Sequence, residues 1–170
     1  MRALAVVAGV CAVLAVAGCK SESGSATTSA AKLTEAQLWD PCTLSDSALQ
    51  ATGVDPSTKD TNPFGGHQTG WKGCDWRNDT YYLNVFTTVH TMDEVRTNNL
   101  LKNVHDVDVA GRNAVSETQG SSNDNCGVDF PTSKGVVQVV IRQQYGSPSA
   151  GDLCAIALRS ANSLNSSIPK

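Results

Sequence analysis

The stretch "WKGCDWRNDTYYLNVFTT", Trp71–Thr88, decides the fold. Two runs rich in aromatic and β-branched residues, WKGCDWR and TYYLNVFTT, flank Asn78-Asp79, a pair suited to a tight turn. The whole reads as a β-hairpin. Strand alternation sends Cys74 and Trp76 to one face, Gly73 and Asp75 to the other. Trp76 is then placed to pack beside a disulfide at Cys74, where a large ring buries the most apolar area. Trp71, at the strand's edge, is left as the aromatic that can meet a ligand. In the second strand Tyr81, Leu83 and Val85 alternate with Tyr82, Asn84 and Phe86.

The flanking chain repeats this grammar. Leu33–Val54 reads as a helical region, with Pro41 in a first turn, Ser45 or Asp46 as a cap and Gly53 where a C-terminal cap belongs. "DPSTKDTNPFGGHQTG", Asp55–Gly70, reads as one long loop from its Pro, Gly, Asn and Asp content. Thr91 with Glu94 forms a capping box opening a helix to about Leu101. "VHDVDVAGRNAVSE" alternates around a turn at Gly111, and "NCGVDFP" pairs with "GVVQVVIRQQ" through "TSKG". The C-terminal segment from Ser147-Pro148 is helical, with Cys154, Ala157, Leu158, Ala161 and Leu164 on one stripe. The expected order is α-β-β-α-β-β-β-β-α: an α+β domain with an antiparallel sheet and helices packed on it.

The chain opens with Arg2 and an unbroken small and apolar run, Ala3–Val16. That run is short for a membrane-spanning helix, which needs about 20 residues, and it ends in small residues as an export signal does. An ordinary signal peptide would be cut after Ala17 or Gly18. Val16-Ala17-Gly18-Cys19 resembles a bacterial lipobox, which implies diacylglycerol on Cys19, cleavage before it and acylation of the new N-terminus. Two or three acyl chains anchor stably where one does not. "KSESGSATTSAAK" follows, too poor in large apolar residues to offset its ordering entropy, and reads as a flexible tether reaching roughly 20 Å. The expected organisation is a lipoprotein signal over 1–18, a lipidated tether over 19–33 and one domain over 34–170. The expected location is the extracytoplasmic face of the cell membrane.

Of the six cysteines, Cys11 leaves with the signal and Cys19 carries lipid, so Cys42, Cys74, Cys126 and Cys154 remain. An even number in an exported domain reads as two disulfides, with three connectivities open. The expected pairs are Cys42–Cys74 and Cys126–Cys154, each joining a helix signal to a strand signal in the same half of the chain. No C-x-x-C and no Cys–His spacing supports a zinc or redox site.

Asp40-Pro41-Cys42, Gly73-Cys74-Asp75-Trp76, Val109-Ala110-Gly111-Arg112-Asn113-Ala114, a later Cys126 and Asp152-Leu153-Cys154 recur in one order. In that order they resemble the actinobacterial lipoproteins grouped as domain-of-unknown-function 3558. The last motif departs a little, with Gly-Asp-Leu-Cys where Asp-Pro-Cys would mirror the first. The resemblance implies a cell-envelope lipoprotein and supplies no catalytic residues.

No chemistry-bearing constellation stands out. "GSPSAG" lacks the nucleophile-elbow spacing, and the three histidines, His67, His90 and His105, stand apart. His105 faces away from Asp106 and Asp108 by strand alternation. Those two aspartates could bind calcium but read more simply as solvated strand carboxylates, and "NDNCG" has Lys134 where a calcium loop closes with an acid. Net charge is −3 and aromatics are 5%, with no basic aromatic face, so nucleic acid is not an expected partner. Neither a cofactor nor a metal is expected. The expected role is a non-catalytic binding or interaction module for an envelope protein, a wall polymer or a small ligand. Alternatives are a carrier holding an apolar molecule between sheet and helices, and a hydrolase with an unfamiliar site. Candidate contact residues are Phe64 and His67 in the long loop, Trp71, and Arg112 as a guanidinium aimed either at a partner or at the protein's own carbonyls.

Overall fold

The computed structural model describes residues 32–120 and 124–170; the expected signal, the expected lipidation at Cys19 and most of the expected tether fall outside the described residues. Seven antiparallel strands make one sheet: β1 (Asp55–Asp60), β2 (Trp71–Arg77), β3 (Tyr81–Thr88), β4 (Leu101–Val109), β5 (Arg112–Gln119), β6 (Asn125–Thr132) and β7 (Gly135–Gln143). Their spatial order is β1-β2-β3-β7-β6-β5-β4. Among the described residues three helices accompany them: α1 (Asp46–Gln50), α2 (Met92–Thr97) and α3 (Leu153–Leu164).

Three of the hairpins, β2–β3, β4–β5 and β6–β7, form where turn residues interrupt the alternation. At the β2–β3 turn the Asn78 side-chain oxygen accepts from the Thr80 and Tyr81 amides, which closes the reversal locally. At the β4–β5 turn Ala110 and Gly111 both have positive φ, 50° and 80°, as a two-residue hairpin of matching twist requires. The Asp108 carboxylate accepts from the Gly111 amide and holds that turn.

One face of the sheet carries the main core. Leu83, Val85, Val137, Val139, Ile141, Val128, Phe130 and Trp76 are fully buried there against Leu49 of α1 and Ala157, Ala161 and Leu164 of α3. Two disulfides fasten helical segments to this face. Cys42 joins Cys74 with Cα atoms 5.3 Å apart, and Cys126 joins Cys154 with Cα atoms 5.0 Å apart.

The expected element list needs four corrections. Asp55–Asp60, expected as loop, is the edge strand β1. Its composition is poor for a strand, and tertiary pairing decides: it ladders on β2 alone, with a register irregularity, and Thr58 bridges to the Arg77 carbonyl and amide. An edge tolerates Pro56, whose missing N–H would break a central ladder. The first helical region is not one helix but two 3₁₀ turns, Glu35–Gln37 and Pro41–Thr43, followed by the short α1, because Asp40 and Ser45 each restart the chain as caps. α2 stops at Thr97, where Asn98 turns extended, and Leu101 instead opens β4 opposite Gln119. α3 is capped by Asp152, whose carboxylate accepts from the Cys154 and Ala155 amides. Ser147, where the helix was expected to open, lies before it and donates its hydroxyl to the Thr80 and Gln144 carbonyls. The sheet therefore dominates, and the helices are few and short.

Candidate functional site

The second face of the sheet differs in kind from the first. Register places Asp129, Gln138, Phe86 and Gly73 in one row across β6, β7, β3 and β2, and Gly127, Val140, Asn84 and Asp75 in the next. Val115 and Glu117 of β5 extend the two rows, opposite Asp129 and Gly127. Asn84, Gln138, Asp75, Glu117 and Asp129 are all buried here, so polar side chains line this face where valine lines the other.

Two coverings leave a gap between them. The chain from β3 to β4 must cross β7, β6 and β5, and it does so on this face, packing Val95 and Leu101 onto Val136. On the β2 side, the Asp60–Gly70 loop sets Phe64 on Phe86 with ring centroids 4.8 Å apart. Gly73 makes this possible, since a Cβ there would come within 2.6 Å of the Phe86 ring. Trp71 stands between the coverings, edge-on to Phe64 at 6.1 Å and 5.8 Å from His90.

The gap is a groove of about 360 Å³ between Trp71 and α2, floored by Gln138 and walled by Val95, Leu101 and Gln119. An adjoining hollow of about 250 Å³ shares Trp71, Gln119 and Gln138 and continues over Asn84 and Phe86 to Arg142. Such a volume, part apolar and part amide, matches the usual form of a small-ligand site. At one end His90 lies 3.5 Å from Glu94, whose carboxylate is held below the ordinary range by the Thr91 amide it caps. At the other end Arg142 lies over the Tyr82 ring.

Behind the floor are two carboxyls that the sequence did not flag. Glu117 is 1% exposed and Asp129 0%, and none of their four oxygens has a hydrogen-bond partner. Burial pushes Glu117 up to about 7. Burial raises Asp129 well above the carboxylate range, and the Glu117 charge adds to this. Gln138, its cross-strand neighbour, eases the Asp129 carboxyl slightly without reaching hydrogen-bonding geometry. Asp75 is also raised, by burial first and by Asp60 second, with Arg142 and Arg77 opposing. The available signal was a polar residue set among β-branched and aromatic ones, at Asn84, Asp129 and Gln138; Glu117 stands in a polar run, Ser116–Gln119, and gave no such signal. Only the strand order brings them together.

Three of the four expected contact residues come together: Phe64, His67 and Trp71 line a hollow of about 350 Å³ beside Glu35, and Phe64 and Trp71 also line the hollow that adjoins the groove. His67 is exposed, with Nδ1 3.7 Å from Glu35. Arg112 is on the other face and points inward: its guanidinium donates to the Asn165 side chain at 3.2 Å and the Pro169 carbonyl at 2.7 Å, with the Asn165 and Ile168 carbonyls at 3.4 Å. Its Cζ lies 4.7 Å over the Phe130 ring. A guanidinium committed to four internal acceptors is a clamp on the C-terminal turn, in line with the second of the two readings its motif allowed. Among the described residues no three His, Cys, Asp or Glu side chains gather as a metal site.

Fold and site define a class: an antiparallel, two-disulfide α+β domain with a packed face and a grooved, amide-lined face. The chain belongs to the family described as protein of unknown function DUF3558, whose model matches residues 14–166. No match was found among curated proteins or among solved structures.

Proposed function

We propose that this protein is a non-catalytic envelope lipoprotein, held by lipid on Cys19 at the outer face of the cytoplasmic membrane, that binds its partner or ligand in the groove beside Trp71. The carrying observation is Trp71 itself: half-buried, it lines both the groove and the adjoining hollow, where Trp76 on the same strand is fully buried. An aromatic that stays partly open in a preformed concavity is the usual anchor of a binding site. The groups with acid–base character suited to catalysis, Glu117 and Asp129, are sealed from solvent and out of a substrate's reach. The space between sheet and helices, where the alternative reading places an apolar cargo, holds a cluster of buried side chains, which supports the groove over an internal carrier cavity.

The test uses the full chain in its native membrane. A photo-crosslinking amino acid at position 64, on the groove's aromatic rim, should give a specific adduct, and one at Tyr145, fully exposed elsewhere, should not. Equal labelling from both positions would refute the groove. Cys19→Ala should move the protein from the membrane fraction to the soluble one; retention would refute the lipid anchor. Turnover of ester, peptide or glycan substrates abolished by E117Q would overturn the non-catalytic reading.

A further inference from the structure

The groove's lining selects among ligand chemistries. Asn84 and Gln138 in the floor are each 5% exposed. Their carboxamides and that of the exposed Gln119 line the hollow, and Gln138 makes only a loose approach to Asp129. A carboxamide offers a donor and an acceptor side by side. Vicinal hydroxyls, each able to donate and accept, complement it. A wholly apolar ligand would instead bury these amides unpaired, which disfavours it.

Charge narrows the choice further. The ionisable groups of the lining sit at its two ends, His90 with Glu94 and then Arg142, and the floor between them is neutral. Glu117 and Asp129 lie on the same sheet face, in the two rows that form this floor. A phosphate or carboxylate at the centre would give up its hydration with no cation of the lining beside it, which disfavours it. Trp71 supplies a partly exposed ring at the same place. A ring of that kind suits the C–H face of a sugar, as the amides suit its hydroxyl rim.

We infer that the groove binds an uncharged saccharide, with one sugar ring against Trp71 and its hydroxyls on Asn84, Gln119 and Gln138. This rests on the groove being the binding site, as proposed above.

The experiment is calorimetric titration of the full-length protein in detergent micelles with cellohexaose, mannohexaose and chitohexaose. Polygalacturonate, oligolysine and phosphatidylglycerol vesicles serve as charged comparators. At least one neutral hexasaccharide should bind. Trp71→Ala should weaken it about tenfold or more, as loss of a central aromatic anchor does. Gln119→Ala should weaken it less, and Tyr145→Ala should leave it unchanged. Gln119 is exposed, so Q119A carries the test if W71A lowers the unfolding midpoint. The saccharide assignment is overturned if none of the three binds, or if binding ignores both W71A and Q119A. If a charged comparator alone binds with W71A sensitivity, the assignment falls while the groove stands. If, in addition, crosslinking from position 64 equals that from Tyr145, both fall.

Discussion

Glu117 occupies the space that Gly127 leaves open. The two are register partners across β5 and β6, and a Cβ built on Gly127 would run into the Glu117 carboxyl. A buried acid and a strand glycine are each unfavourable alone; here the second is the condition for the first. Gly127→Ala should therefore destabilise the fold by about 1–3 kcal/mol, the usual range for overpacking. Combined with Glu117→Ala the two costs should not add, because the shorter side chain vacates the space. Urea unfolding of both single variants and the double variant measures the coupling; strict additivity would refute the contact.

The same carboxyl sets a pH dependence of unusual sign. Glu117 is raised from 4.5 to about 7 in the folded protein, and Asp129 is raised in the same direction. A raised acid holds its proton in the native state after the unfolded chain has lost it. Its stabilising effect is complete below about 4.5 and is lost as pH rises through 7, by about 3 kcal/mol for Glu117. Asp75, raised as well, acts in the same sense. The lowered acids Asp55 and Glu94 act oppositely, at acid pH below this window. Urea midpoints measured from pH 5 to 8.5 should therefore fall with rising pH, and E117Q should flatten the fall and be the more stable protein at pH 8. A wild-type midpoint that rises across this range would refute the assignment.

Arg112 should behave as a structural clamp. Arg112→Lys keeps the charge but cannot spread over Asn165, Ile168 and Pro169 with one planar group. A loss of about 1–3 kcal/mol is expected, since partly buried carbonyls lose donors. Amide hydrogen exchange should accelerate at Ser167 and Ile168, whose N–H groups bond to Leu164 in the C-terminal turn. Unchanged exchange there, with weakened partner binding, would return Arg112 to the contact surface.

Each disulfide should contribute separately to stability. The bridged residues are 32 apart for Cys42–Cys74 and 28 apart for Cys126–Cys154. Loops of that size correspond to about 3–4 kcal/mol in the chain-entropy account. Paired serine substitutions at either bridge should lower the unfolding free energy by that order, and loss of both should leave the isolated domain unfolded at physiological temperature. Non-reducing peptide mapping that finds a crossed pair would contradict the topology.

Much of the sheet was legible because its signals are local. Asn78-Asp79, Ala110-Gly111 and Ser133-Lys134 interrupt alternating runs, and each interruption is a hairpin turn. The sidedness of β2 was legible too: Cys74 and Trp76 face the core, and Trp71 does not. The strand at Asp55–Asp60 was not, because nothing in Asp-Pro-Ser-Thr-Lys-Asp favours extension except the unpaired edge of β2 beside it. Arg112 stood out in its motif, but its acceptors lie 53–57 residues away in sequence.

The sequence by itself determined the hairpins, their turns and the residues that share a face within each strand, since these follow from φ/ψ preferences and a two-residue period. It also supplied four cysteines whose pairing within each half of the chain agrees with the fold. Only the tertiary structure decided that β7 returns to β3, so that β5, β6 and β7 follow one another across the sheet. That order assembles Asn84, Glu117, Asp129 and Gln138 into one buried polar face and opens a groove at Trp71. The reason is physical: alternation assigns a side chain to a side of its own strand, but lateral neighbours depend on long-range pairing, which no local preference encodes.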